Sequence, residues 1–182
     1  MKKIISLVLL YFIVLVVNSQ TLINNTIDVT GGYSPSGFGI NANYNVIFDN
    51  SYVKLGIYVS SNKDKQTKLD VDYEIPYTIL SVNVGYFKPF IKNRNESIIL
   101  SGGLGLLAGY EVINNGNNEF ENGAIIENGS SFIYGGFGSL DLEVGITQNI
   151  YILANITEFY HVNSYLGKAT MYGGLGVRIY IN

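Results

Sequence analysis

The sequence of 182 residues contains no cysteine, no tryptophan and a single histidine. Without cysteine the chain can form no disulfide bond, no zinc-thiolate site and no lipid-attached cysteine behind a signal peptide. Charged residues make up only 14% of the chain, against about 25% in an average soluble domain. Because no basic patch or stripe is present either, we expect no direct binding of nucleic acid.

A long apolar run occurs at the amino terminus, where the basic start MKK precedes apolar residues 4–17. A basic start, a short apolar core and small residues near a cut site are typical of a cleavable secretory signal peptide. We therefore predict a signal peptide at residues 1–19, cut before Gln20, and a single mature domain at residues 20–182. An uncleaved membrane anchor is the alternative, although a spanning helix needs about 20 apolar residues.

Glycine (21 residues) and tyrosine (15 residues) are abundant, and apolar side chains alternate with polar or small ones along the mature chain. Alternation with a period of two is typical of strands that have one apolar and one polar face. The pattern predicts eight strands. Their predicted ranges are 26–34, 37–48, 52–61, 74–87, 96–112, 131–147, 149–162 and 171–182.

The predicted connections alternate between short and long. "DNS" and "TQN" are short, whereas "NKDKQTKLDVD" and "INNGNNEFENGAIIENGS" are long and rich in asparagine, glycine and charge. Short turns at one end and long loops at the other are typical of outer-membrane barrels. We therefore predict an all-β fold, an eight-stranded antiparallel up-and-down β-barrel of outer-membrane type. Its surroundings would be the lipid of a Gram-negative outer membrane, and side chains would fill its interior.

Two carboxylates interrupt the apolar stretch "SLDLEVGI" at residues 139–146. A strand places Asp141 and Glu143 on one face and the four aliphatic residues on the other. We predict that both acids point into the lumen, where Asp28, Lys54 and Arg178 join them in a structural polar network. Closure of strand eight onto strand one would bring Arg178 near Asp28. A proton or ion path, or a catalytic carboxylate pair, are the alternatives.

The single histidine, His161, lies in "EFYHVNS" near the loop end of the seventh strand. We interpret it as a polar residue at the barrel rim. With Glu158 and Ser164 nearby, a surface hydrolase with a serine, a histidine and an acid is the alternative, but a triad is defined by geometry that sequence does not supply. We predict no catalytic residues, no metal site and no cofactor.

The second half of the chain resembles a known family. "SIILSGGLGLLAGYEVINNG", "ENGAIIENGSSFIYGGFGSLDLEV" and the closing "GGLGVRIYIN" are similar to the TraO proteins of conjugative transposons in Bacteroidetes. "EIPYTILSVNVGYF" is a further, weaker match, so the resemblance covers most of residues 74–182. It carries over no catalytic residues. The final residues Tyr180-Ile181-Asn182 depart from the terminal aromatic that is common in barrels.

The resemblance implies a non-enzymatic outer-membrane or envelope component of a conjugative transfer apparatus, with other transfer proteins as partners. We expect the loop at residues 113–130 to supply the contact surface. Its candidate contact residues are Asn114, Asn115, Glu119, Phe120 and Glu121. The alternatives are a stand-alone outer-membrane barrel with a structural or adhesion role, a lipid-modifying barrel enzyme, and a soluble periplasmic β domain whose aliphatic faces pack in a core.

Overall fold

The computed structural model describes residues 25–68, 71–116 and 130–181, which form a closed barrel of eight antiparallel strands in chain order. A short 3₁₀ helix at Asn114–Gly116 follows β5. The predicted signal peptide lies outside the described residues. The strands are β1 (Asn25–Ser34), β2 (Gly37–Phe48), β3 (Ser51–Lys68), β4 (Val71–Lys92), β5 (Ile98–Ile113), β6 (Ser131–Gly145), β7 (Ile150–His161) and β8 (Ala169–Ile181).

The predicted eight-stranded barrel is confirmed. Each strand pairs with its sequence neighbours, and β8 closes onto β1 through nine register pairs from Asn25↔Ile181 to Tyr33↔Gly173. The short connections at 49–50, 93–97 and 146–149 lie at one end, which we call the turn end. The opposite end, which has the long connections at 114–130 and 162–168, is the loop end. Closure leaves no free sheet edge around the wall, as a barrel surrounded by hydrocarbon requires.

The outer wall of the barrel is apolar. Aliphatic side chains at alternate positions of every strand point outward and are exposed, with Leu104, Leu106 and Leu175 at 75%, 68% and 69%. A soluble β domain would bury such residues in a core, which this arrangement does not do. Tyrosine and phenylalanine side chains lie near both ends of the wall, where interfacial rings belong in outer-membrane barrels. The exposed rings include Tyr33, Phe38, Tyr44, Tyr86, Phe90, Tyr110, Phe132, Tyr134 and Tyr160.

The third and fourth strands are longer than predicted. The stretch "NKDKQTKLDVD", predicted as a loop, continues the β3–β4 ladder as far as Lys68↔Val71. The β2–β3 ladder begins at Gly37↔Asn62 and runs toward the turn end. The part of the β3–β4 hairpin after Asn62 has no β2 partner and projects beyond the loop-end rim. The stretch is polar but contains no glycine or proline to end the strands, and a polar sequence suits a hairpin in water.

Rings and glycines together fill the middle of the lumen. Tyr58 stacks on Phe159 with ring centroids 4.5 Å apart, and Phe137 packs on Phe159 at 5.9 Å. Nearer the turn end, Tyr52 stacks on Phe87 at 5.1 Å. A Cβ atom at Gly103 would overlap the Phe87 ring, so glycine at the register partner of Phe87 on the neighbouring strand β5 makes room for the aromatic side chain. The lumen is therefore packed rather than open.

Among the described residues, no helix is long and apolar enough to span a membrane.

Candidate functional site in the barrel lumen

The turn-end half of the lumen holds an ionic network centred on Arg178. Its guanidinium donates through Nε and Nη2 to Asp28 Oδ2 at 3.0 and 2.8 Å. Nη1 donates to Glu143 Oε1 at 2.6 Å, and Nη2 also reaches Asp141 Oδ2 at 2.9 Å. Asp28 and Arg178 are direct register partners across the β1–β8 closure, which fixes one of these pairs through the backbone.

Lys54 completes the network from the opposite wall. Its ammonium donates to Asp141 Oδ2 at 2.6 Å and lies over the Phe87 ring, 4.0 Å from the centroid. Lys54 is 4% exposed and Asp141 is fully buried. A lysine ammonium so placed gains both an ion pair and a cation–π contact, which together offset its removal from water.

Neutral donors supply the hydrogen bonds that the two cations leave unmade. Asn43 and Asn45 donate to Asp28 at 2.6 and 2.7 Å, Tyr52 donates to Asp141 at 3.0 Å, and Tyr180 donates to Glu143 at 3.0 Å. Three acidic side chains thus face two basic ones. Hydrogen bonding of the remaining lone pairs is the condition under which a buried ion cluster is tolerated.

The structure therefore places Asp28, Lys54, Asp141, Glu143 and Arg178 in one contiguous cluster. A cavity of about 230 Å³ at the turn-end mouth reaches the cluster at Glu143 and Arg178. The arrangement can hold the strands of opposite walls together. It offers no carboxylate pair with a free acid or base, because each acid is bound by a cation in the described structure.

A second buried carboxylate, Glu111, lies at the loop end. It is fully buried on β5 and accepts hydrogen bonds from the β7–β8 loop. The donors are Ser164 Oγ at 2.7 Å, the Tyr165 amide at 3.1 Å and the Gly167 amide at 3.2 Å. The loop is thereby folded into the loop-end mouth, where Leu166 packs against the aromatic core.

The structure separates the residues of the alternative triad. His161 points inward and is fully buried, whereas Glu158 is three residues earlier on the outward face of β7. The Nδ1 atom of His161 is 2.6 Å from the Gly167 carbonyl, and the Ser164 hydroxyl donates to Glu111 instead. His161 is the last residue of β7, at the loop-end rim, and its ring points into the lumen. No Ser–His–acid relay forms with Glu158.

The predicted contact loop is described only at its start. Asn114 and Asn115 lie in the 3₁₀ helix, both at positive φ, while Glu119, Phe120 and Glu121 lie outside the described residues. Within the described ranges no group of three or more potential ligand side chains could hold a metal ion.

Three residues that contact the lumen network or the inward-folded loop are missing from the predicted set: Tyr52, Tyr180 and Glu111. Each occupies an alternate position of its strand that faces the same way as the predicted lumen residues, so the alternation could have identified all three.

A search of curated proteins gave no match. Several solved outer-membrane proteins share the fold. A major outer membrane protein from Thermus thermophilus matches with a TM-score of 0.68 and 7% identity, over 88% of this chain and all (100%) of that chain. Neisserial surface protein A matches with a TM-score of 0.59 and 12% identity, over 86% of this chain and 96% of that one.

The attachment invasion locus protein Ail of Yersinia pestis, in a structure with the heparin analogue sucrose octasulfate, matches with a TM-score of 0.54. The identity is 16%, over 88% of this chain and 99% of that one. At such identities the likeness shows the fold alone. The sequence itself is more specific, because the family described as conjugative transposon protein TraO matches residues 36–181, from the start of β2 to the end of β8. The resemblance found in the second half of the chain is thus confirmed and extends further, and the chain belongs to the TraO family of conjugative transposon proteins.

Proposed function

We propose that this protein is a non-enzymatic outer-membrane component of a conjugative transposon's transfer apparatus. The observation that carries the proposal is a closed barrel, apolar outside and polar inside, in a chain of the conjugative transposon protein family. A signal peptide at residues 1–19 would export the chain, and residues 20–182 would form the single barrel domain in the outer membrane of a Gram-negative bacterium.

The packed lumen supports a structural role rather than a conduit. Packed rings close its middle, the Arg178 cluster fills the turn-end half, and the Glu111-bound loop enters the loop-end mouth. A DNA strand would have to displace all three layers. The proposal therefore gives the protein no direct contact with nucleic acid and assigns the lumen network to stability.

The loop end supports contacts with other transfer proteins. The 3₁₀ helix at Asn114–Gly116 contacts β4, next to the hairpin formed by β3 and β4 beyond the rim. In this proposal the loop at residues 113–130, with Asn114, Asn115, Glu119, Phe120 and Glu121, and the projecting hairpin form one contact surface. The projecting hairpin offers backbone groups that a partner strand could pair with.

The proposal is tested by deleting the gene from an intact transposon and complementing it with the full chain. We expect the mating frequency to fall in the deletion and to recover on complementation. The protein should migrate in a heat-modifiable way in the outer-membrane fraction. A second complementing variant, lacking residues 64–73 of the hairpin, should fold and fractionate normally but fail to restore mating.

Each arm can contradict the proposal. Normal mating without the gene would favour a stand-alone barrel with a structural or adhesion role, whatever fraction contains the protein. Recovery of the protein in the soluble periplasm would overturn the membrane placement itself. Full mating with the hairpin variant would remove the projecting hairpin from the contact surface and leave the 113–130 loop.

A further inference from the structure

One stretch of the outer wall departs from the apolar pattern. A shallow groove of about 870 Å³ runs over the outward faces of β5, β6 and β7 and reaches β4 and β8 at its edges. Gly136 and Gly138 leave its floor without side chains, and Leu104, Leu140 and Met171 are among its apolar walls. Two charged side chains, Lys88 and Glu158, lie in the same groove. We call this feature the outer groove.

Glu158 is the unusual member of the outer groove. Its register partners on the two neighbouring strands are Gly138 and Met171, and Ile156 and Tyr160 flank it on the same face of β7. Its carboxylate has no hydrogen-bond or ion-pair partner among the described residues. Tyr160 is the next outward residue toward the loop end and belongs to the belt of exposed aromatic side chains there. Glu158 therefore lies on the hydrocarbon side of that belt.

An ionisable side chain facing lipid marks a functional site, because the ion is poorly solvated there. Lys88 lies on β4 four residues from the turn end, and its long chain can reach the nearby interface. Glu158 has a short chain and no such route. Since small residues permit close approach of a partner backbone within a membrane, Gly136 and Gly138 allow a second segment to come within reach of the carboxylate.

We infer that the outer groove docks a membrane-embedded segment of another protein, and that a lysine or arginine of that segment pairs with Glu158. A phosphate-bearing lipid would be repelled by the carboxylate and drawn instead to Lys88 near the turn end, and an acyl chain offers the carboxylate no donor. Lys88 of a second copy is not a suitable partner for Glu158 either. Copies in one membrane stand the same way up, so Lys88 near the turn end and Glu158 near the loop end would meet at different depths.

The test is photo-crosslinking in cells that carry the intact transposon. p-Benzoylphenylalanine replaces Met171, beside Glu158, or Ile40 on the opposite wall as the position control. We expect a discrete protein adduct from position 171 and none from position 40. Glu158→Gln should lower the adduct at least about tenfold. The matched charge variant Lys88→Gln should leave it within about twofold, and every variant should keep heat-modifiable migration.

Mass spectrometry of the adduct identifies the cross-linked segment. Exchange of the two charges then tests whether Glu158 pairs with a basic residue of that segment. Glu158→Lys should abolish the adduct, and changing the segment's basic residue to glutamate in the same cells should restore it. An adduct that contains only this chain, one that contains only lipid, or one unchanged by Glu158→Gln would overturn the inference. So would equal labelling from positions 171 and 40.

The inference rests on the proposed outer-membrane placement but not on the role in transfer. The two therefore fail separately. Loss of mating in the gene deletion together with an adduct insensitive to Glu158→Gln would remove the docking groove and leave the transfer role intact. If instead the gene deletion leaves mating unchanged while the full-length protein forms an adduct that depends on Glu158, the transfer role is removed and the docking groove remains.

Discussion

At the turn end of the lumen three carboxylates bind an arginine and a lysine, whereas at the loop end Glu111 binds a hydroxyl and two backbone amides. Every charged member of the turn-end cluster is on a strand of the wall. The donors to Glu111 belong instead to a connecting loop. One end is thus fixed by side chains that the barrel itself positions, and the other depends on how a loop folds inward.

The difference predicts two kinds of stability. Removing a cation from the turn-end cluster leaves buried carboxylates without a counter-charge. The strands that carry these carboxylates are fixed in the barrel wall, so they cannot move to expose the carboxylates to water. Removing Glu111 frees a loop that can open and hydrate its own amides. We therefore expect global destabilisation from the first change and local opening from the second.

The largest effect is expected for Arg178→Leu. The substitution leaves Asp28, Asp141 and Glu143 with Lys54 as their cation, and breaking a buried ion pair from one side costs about 3–5 kcal/mol. The free energy of unfolding, measured by urea titration in phospholipid vesicles with circular dichroism, should fall by that amount. Arg178→Lys, which keeps the charge but loses the forked geometry, should fall between wild type and Arg178→Leu. Equal stability of all three proteins would contradict an arginine-centred cluster.

A smaller and local effect is expected for Glu111→Ala. The β7–β8 loop loses three hydrogen bonds to a carboxylate, of which the one from the Gly167 amide is buried and the other two are part-buried. A bond to a charged group contributes about 1.5–3 kcal/mol, and part-burial lowers that value. Because the loop can rehydrate, the global unfolding free energy should change less than in Arg178→Leu. Hydrogen exchange at the amides of Tyr165 and Gly167 should accelerate, while the exchange of strand amides near Asp141 should not. Unchanged exchange at Gly167 would show that other contacts hold the loop.

Much of the turn-end cluster can be predicted from the sequence, and the reason is geometric. Alternation assigns Asp141 and Glu143 to one face, and closure of an up-and-down barrel makes β8 the neighbour of β1, which brings Arg178 and Asp28 to one seam. The contact of Lys54 with Asp141 depends on packing across the lumen. Alternation predicts that Lys54 faces the lumen. It predicts neither the position of its ammonium along the barrel axis nor the strand that the ammonium contacts.

The loop end shows what such reasoning misses. Glu111 has the parity of a lumen residue, but its donors are backbone amides of a loop, and no periodic pattern records how a loop folds. The projecting β3–β4 hairpin was missed for a related reason. Hydrophobic alternation reports strands that separate an apolar from a polar environment, and the ladder from Lys63↔Pro76 onward stands above the rim, where no such boundary exists.

The smallest effect is expected for Tyr180→Phe, and it tests whether the neutral donors matter to the turn-end cluster. The hydroxyl donates to Glu143 at 3.0 Å, and its loss leaves that carboxylate bound to Arg178. The bond is only part-buried, so we expect about 1 kcal/mol, the net value of an average hydrogen bond, rather than the larger value of a fully buried bond to a charged group. Tyr151→Phe is the matched control, because its ring packs on Tyr180 at 5.0 Å while its hydroxyl donates to the exposed Glu96 carbonyl.

In the urea titration, Tyr180→Phe should lower the free energy of unfolding by about 1 kcal/mol and Tyr151→Phe by less. The double variant Tyr180→Phe with Arg178→Leu should be more destabilised than the sum of the two single changes, because each single change leaves Glu143 with one of these two donors and the double change removes both. Strict additivity would mean that Tyr180 acts on the mouth of the barrel independently of the cluster. The turn end would then owe its stability to the strand-borne ions alone.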